Sequence, residues 1–244
     1  MPSLHSLSGL DSSTIQAAGS RGRAPLLPLT ELAYPYYYLL MQAKGSVDKS
    51  ERRTFTETAR RAQIVAAAIE TIAELGYARA SFAQIAKRAG LSSTGLISYH
   101  FADKDELIQQ VVTDIFGAIT QFMGQRMGRQ SSAADALQTY IQANAEFIGA
   151  HRVQMKAFLD IFMNGGFHYD ETTERTVVSP LEEILRGGQA SGEFRAFDTR
   201  VMAVVIQRAV DGLPFLLATY PDTDVDAYAR EVTTLFELAT KAEQ

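Results

Sequence analysis

The chain has 244 residues, 46% of them hydrophobic and 21% charged, with a formal net charge of −5 and no cysteine. That length supports one large or two small domains with a sizeable core, and the composition is that of a globular soluble protein. Disulfides and thiolate metal sites are excluded, no unbroken apolar run reaches the length of a membrane span, and the first residues lack the basic-then-apolar pattern of a signal peptide, so the expected setting is the cytoplasm.

The acidic excess is unevenly spread. Residues 49–110 carry nine Lys and Arg against seven Asp and Glu, whereas residues 111–244 carry eleven against eighteen. Binding a polyanion needs a local positive face, not a positive whole. An acidic remainder also keeps polyanions off the rest of the surface. Ordinary surface variation gives similar figures, so charge alone decides nothing.

Residues 1–50 show no sustained periodicity and read as a disordered extension, rich in Ser, Gly and Pro through Pro28. An apolar, aromatic patch at 32–41 is interrupted by Pro35, where a helix would need an N–H. Two readings of this segment stay open. Met41 is the natural start and the upstream residues come from an overlong gene model, or the tyrosines of the patch dock on the body of the protein. A short basic arm with Lys49, Arg52 and Arg53 follows.

Thr54 and Glu57 have the spacing of a capping box, which predicts a helix running to about Leu75. Ile64, Val65, Ala68, Ile69, Ile72 and Leu75 face inward, Arg60 and Arg61 face outward, and Gly76 ends the helix. Ser81 and Gln84 mark the start of a second, short helix with Phe82, Ile85, Ala86 and Ala89 on one face. Gly90 fits the left-handed position just past its end. Leu91 plugs the turn, Ser92, Ser93 and Thr94 can cap a third helix, and Leu96 and Ile97 supply that helix's inward face. Two short helices joined by a tight turn make a helix-turn-helix, whose second helix enters the DNA major groove.

These residues carry a family resemblance. Residues 82–90, 95–101 and 103–107, together with the helix over 64–77, resemble the DNA-binding domain of the TetR family of transcriptional regulators. The resemblance covers about residues 54–112. Between Gly90 and Gly95 the chain has Leu91, Ser92, Ser93 and Thr94, one residue more than the family's commonest spacing.

The resemblance implies an all-α fold. An N-terminal three-helix helix-turn-helix domain at 51–102 precedes a six-helix ligand-binding and dimerisation domain at 103–244. It implies that Tyr99, His100 and Lys104 lie at the phosphate backbone while Phe101 packs inward; Lys104 is otherwise a surface lysine paired with Asp105 or Glu106. Arg52 and Arg53 are minor-groove or phosphate contacts, or else part of a solvated tail. Ser81, at a helix N-terminus, suits a phosphate as well as a cap. Ser92, Ser93, Thr94 and Gly95 are the candidates for the groove. No Arg, Asn or Gln lies between Leu91 and Phe101, so the commonest bidentate base contacts are missing there. Specificity then leans on hydroxyl and methyl contacts, water, the arm or DNA shape.

The remaining periodicity is helical throughout. Asp103 caps a helix with Leu107, Val111, Ile115, Ile119 and Met123 at four-residue spacing. Further helices are expected over 133–149, over 153–163, through Leu181, Ile184 and Leu185 after a polar loop to about Thr173, after Asp198, and over 225–241. Pro214 should kink or end the helix that contains it. By resemblance, the last two helices form a four-helix interface between two subunits. Val201, Val204, Val205, Leu213, Phe215, Leu216, Phe236 and Leu238 are available for it, or for the core of one subunit.

Phe116, Met123, Phe147, Met155, Phe158, Phe162 and Met163 are adaptable apolar residues that could line a ligand cavity or simply fill a core. Asn144, His151, Gln154, His168 and Tyr169 are polar candidates for orienting a ligand, each with a plain surface or capping alternative. The expected partners are a double-stranded, near-palindromic DNA operator, a small-molecule effector and a second copy of the chain, with no membrane. No paired catalytic carboxylates in an apolar setting, Gly-rich phosphate loop or nucleophile motif is found. Glu182, Glu183, Asp222 and Asp224 read as solvated charges, and His100 lacks a metal-binding partner at helical spacing. Neither enzymatic activity nor a cofactor or metal is therefore expected. A rival is an architectural protein with the same head, which a solid second domain would favour and an open cavity would disfavour.

Overall fold

The computed structural model describes residues 55–242, which form nine α-helices and one 3-10 turn. Helix α1 is Phe55–Leu75, the 3-10 turn is Tyr77–Arg79, α2 is Phe82–Arg88 and α3 is Gly95–His100. Helices α4 (Lys104–Arg126), α5 (Ala133–Ala150), α6 (Arg152–Met163), α7 (Glu171–Ser191), α8 (Thr199–Thr219) and α9 (Val225–Thr240) follow. Three helices and then six is the expected all-α architecture. The only extended pairing among the described residues is an isolated bridge between Phe194 and Lys241. The expectations for residues 1–50, the arm residues Arg52 and Arg53, and the Thr54 cap lie outside the described residues.

Most helix starts are set by one side chain. Ser81, Asp103, Ser132, Asp170, Asp198 and Asp224 each accept a hydrogen bond from a first-turn amide of α2, α4, α5, α7, α8 and α9 respectively. Each such cap contributes about 1 kcal/mol. Asp170 was not foreseen as a cap. Helix α7 therefore begins at Glu171, inside the stretch expected to be loop. Its polar first turn is a solvated helical face, stabilised by the Glu171–Arg175 pair at i,i+4.

Two connected core clusters hold the helices. The first joins the head to the second domain: Ile64, Ile72, Ile85, Ile97 and Phe101 pack in one cluster with Leu107, Ile115, Phe147, Ile161 and Leu213. The second joins α5, α7, α8 and α9 through Leu137, Ile141, Leu181, Leu185, Ile206 and Phe236. Burying an Ile, Leu or Phe side chain contributes about 1.5–3 kcal/mol relative to leaving it exposed. Leu213 and Phe236, weighed for the subunit interface, are core residues of the single chain.

Several local expectations need correction. Pro214 does not end α8, which continues to Thr219. The helix survives because packing outweighs one missing hydrogen bond, and Pro180 is accommodated inside α7 in the same way. Leu96 is exposed and Ile97 alone of that pair is buried. Arg61, expected on the outer side of α1, is buried. Helix α8 is long and apolar enough, by length and composition, to cross a membrane, although Arg208 and Asp211 interrupt its apolar run. Only 33% of its most apolar window is buried within this chain. Val201, Val205 and Phe215 on α8, and Leu235 and Leu238 on α9, remain exposed.

The end of the chain is fastened to α7 by a close approach. A Cβ added at Gly188 would lie 2.1 Å from the Phe194 ring. Phe194 is buried, its N–H donates to the Gly188 carbonyl at 3.0 Å, and Arg195 N–H donates to Thr240 O at 2.9 Å. A Gly188→Ala variant should expel the ring and lose about 1–3 kcal/mol. Thermal denaturation should show a midpoint lowered by about 2–4 °C per kcal/mol, and an unchanged midpoint would contradict this packing.

Candidate nucleic-acid interface and interior cavity

The turn of the helix-turn-helix is fixed by backbone hydrogen bonds. Gly90 has φ of 64°. Its N–H donates to Lys87 O at 3.2 Å and the Leu91 N–H donates to Ala86 O at 2.9 Å. This is a Schellman ending, with Leu91 turned back against the core. The additional residue before Gly95 is taken up ahead of α3, where Thr94 is already in a right-handed helical conformation. The Thr94 side chain makes no capping bond to the helix. Ser81 accepts from Gln84 N–H at 3.4 Å, while Ser81 N–H donates to Arg79 O, so the reciprocal half of the capping box is not formed.

The outer face of this unit is small and polar. Ser81, Ser92, Ser93, Thr94, Gly95, Ser98 and Tyr99 are exposed, as is Leu96. Leu96 was assigned inward by sequence and instead adds an apolar contact to this face, of the kind that can meet a thymine methyl. The Tyr99 hydroxyl donates to Glu57 at 3.5 Å, and its ring meets His100 edge-on at 5.0 Å. His100 is half-buried.

Arg61 anchors α3 from behind. Its guanidinium stacks over the Phe101 ring at 3.9 Å and donates to the His100 carbonyl. It also reaches Glu106 at 3.5 Å and Gln110 at 3.4 Å on α4. One buried cation thus ties the last turn of α3 to the start of α4, combining ring attraction with hydrogen bonds that satisfy its charge. Only the tertiary fold could reveal this residue.

Tyr77, in the 3-10 turn before α2, is gripped from three directions. Its N–H donates to the Asp160 carboxylate on α6. Its carbonyl accepts from Lys104 Nζ at 2.7 Å, and the same ammonium lies 4.2 Å from the centre of its ring. Gly166 lets the ring approach closely, since a Cβ there would sit 2.8 Å from two ring carbons. Lys104 is therefore bonded to Tyr77, not to Asp105 or Glu106, and keeps two further N–H donors on its ammonium.

Between the two core clusters lies a cavity of about 640 Å³. Six of the seven apolar residues selected from sequence, Phe116, Met123, Phe147, Met155, Phe158 and Phe162, line it, and so do Asn144 and Tyr169. His151, Gln154, His168 and Met163 are not in the wall. The sequence reading missed its polar end. The Tyr140 hydroxyl donates to Gln207 at 2.6 Å, and Gln207 donates to Asp211 at 2.8 Å. Arg208 donates to Asp211 at 2.7 Å and to Tyr169 at 3.3 Å, and also pairs with Glu174. Tyr169 in turn donates to Glu174.

Burial, with the Glu174 hydrogen bond, pushes the Tyr169 phenol up to about 12. The buried Tyr140 phenol is raised as well. Desolvation alone would raise Glu174, but hydrogen bonds from Tyr169 and Arg208 hold it below the usual carboxylate range. Desolvation prevails at Asp211, whose carboxyl is raised despite Gln207 and Arg208.

Comparison with known proteins accords with this geometry. The family model for bacterial regulatory proteins of the tetR family matches residues 64–111. The HTH-type transcriptional regulator BetI of Cronobacter sakazakii is 29% identical over 189 residues, covering 72% of this chain and 88% of the relative. BetI of Escherichia coli is 36% identical over 105 residues, covering 42% of this chain, which thus spans only 53% of that relative's length. A transcriptional regulator from Saccharomonospora viridis, solved in complex with choline, superposes with a TM-score of 0.65 at 20% identity, over 76% of this chain and all of that one. FadR from Bacillus subtilis, solved in complex with stearoyl-CoA, gives 0.60 at 22% identity, over 71% of this chain and 96% of that one. The two solved structures establish the fold. The head, residues 64–111, thus matches the tetR family of bacterial regulatory proteins, and 72% of the chain is similar to a BetI transcriptional regulator.

Proposed function

We propose that the chain is a ligand-responsive repressor. It binds a near-palindromic operator as a homodimer in the cytoplasm, is released by a small-molecule effector, and catalyses no reaction. One observation carries this reading: an apolar cavity of about 640 Å³ has among its walls two helices, α4 and α6, that also hold the DNA-binding head. That favours a regulator over an architectural protein with a solid second domain. The structural relatives solved with choline and with stearoyl-CoA support a small-molecule effector in general, without selecting one.

In this reading Ser92, Ser93, Thr94 and Gly95 face the major groove, with Leu96 beside them. Ser81, Tyr99, His100 and Lys104 meet the phosphates, and Arg52 and Arg53 extend the contact from the arm. The exposed apolar faces of α8 and α9 supply the subunit interface, and two heads set about 34 Å apart read the two half-sites.

Coupling runs through Tyr77. Helix α4 carries Phe116, Ile119 and Met123 on the cavity and Lys104 on Tyr77. Helix α6 carries Met155, Phe158 and Phe162 on the cavity and Asp160 on Tyr77. A guest that favours a wider separation of these helices shifts the population toward a head spacing that no longer meets both half-sites.

Purified protein should retard fragments of its own genome at modest ionic strength, and loss of the chain should raise expression of genes beside the bound sites. Failure to retard any fragment would end this reading. Lys104→Ala should weaken binding to all sequences alike and reduce the salt-dependence slope by about one. A weakening with unchanged slope would confine Lys104 to holding Tyr77. Asp160→Ala should speed hydrogen exchange at the Tyr77 amide by about tenfold or more and raise the effector concentration needed for release, whereas unaltered exchange would remove α6 from the route.

A further inference from the structure

We propose that the cavity takes a lipophilic organic cation, with an ammonium head beside Asp211 among aromatic rings and an apolar arm of roughly ten carbons filling the remainder. This rests on the effector reading above and gives it a chemical class.

The charge at the polar end is unbalanced. Arg208 and Asp211 are the charged residues among the described residues of the wall. Arg208 is divided between two carboxylates, donating through Nη1 to Asp211 and through Nη2 to Glu174 and the Tyr169 hydroxyl. The two carboxylates fare differently. Glu174 is held low by Tyr169 and Arg208, with Arg200 adding attraction through space, whereas burial leaves Asp211 raised. A half-buried carboxylate that faces the cavity, and whose partners do not offset its desolvation, gains from a further cation. An incoming anion would instead meet two carboxylates already placed around the one guanidinium, Asp211 and Glu174 on Arg208.

The rest of the wall suits the same guest. The rings of Phe116, Phe147, Phe158, Phe162 and Tyr169 line the space, and aromatic faces attract ammonium groups most strongly where water is excluded. Phe162 meets Tyr169 edge-on at 6.0 Å, next to the Arg208–Glu174 cluster. Pro180 and Pro214 also line the space. Lacking N–H groups, they add no backbone donor and no positive charge to the wall. The volume far exceeds a bare ammonium, so most of the guest is apolar.

Titration calorimetry on the full chain should compare decyltrimethylammonium, decanol, decanoate and tetramethylammonium, each below its micelle-forming concentration. Decyltrimethylammonium should bind at least about tenfold more tightly than the other three. Asp211→Asn should remove about tenfold or more of that affinity while leaving decanol within about threefold. Glu174→Gln, which frees Arg208 to neutralise Asp211, should weaken the cation several-fold by a second route. The proposal is overturned if decanoate or decanol binds as tightly as the cation, if no probe binds, or if neither variant changes the cation's affinity. Fluorescence anisotropy with bound operator DNA separates this proposal from the reading beneath it. Asp211-dependent binding without release of DNA would retain the cation site and reject the effector role. Release by decanol or decanoate alone would do the reverse.

Discussion

The backbone of one residue, Tyr77, is where the head and the rest of the chain are joined. Its N–H and carbonyl leave α1 in a tight turn and would need water if they were not satisfied within the protein. Asp160 and Lys104 supply those partners from two different helices, and Gly166 admits the ring between them. A polar grip of this kind tolerates little drift, because each hydrogen bond weakens steeply with angle. The three-helix head is therefore positioned by the same two helices that wall the cavity, and whatever reorients them must carry the head along or break the grip.

The recognition helix itself has little to hold it. Helix α3 is six residues long, is entered without a side-chain cap, and buries Ile97 alone among its residues. Its orientation is imposed from outside, by the Schellman turn at Gly90 and by Arg61 stacked on Phe101. This arrangement leaves its outer face free of structural duty. Under the proposed DNA contact, hydroxyls, a glycine and one leucine can vary there to suit a sequence without altering the fold.

Local chemistry made much of this legible in the sequence. The helix-turn-helix could be placed to the residue because Ser81, Gly90 and Asp103 act on neighbours within one turn. The six apolar residues placed at the cavity were found because methionine and aromatic side chains suit an apolar guest; wall and core obey the same periodicity, so spacing could not say which residues faced empty space. The misses share a different cause. Arg61 looked solvent-facing until Phe101 and Glu106, 40 and more positions away, closed over it. Tyr140, Gln207 and Asp211 look unremarkable on their own helices, and the polar end exists only where α5 and α8 meet. The early start of α7 was hidden because a polar helical turn with a good cap has the composition of a loop.

Helix α8 is apolar enough in composition to cross a bilayer, yet only a third of its most apolar stretch is buried within the chain, and Val201, Val205 and Phe215 are exposed. In water such a face must find a covering. If that covering is a second copy, operator occupancy depends on the square of the chain's abundance while free subunits predominate. Small changes in synthesis would then be sharpened into larger changes in transcription before any effector arrives.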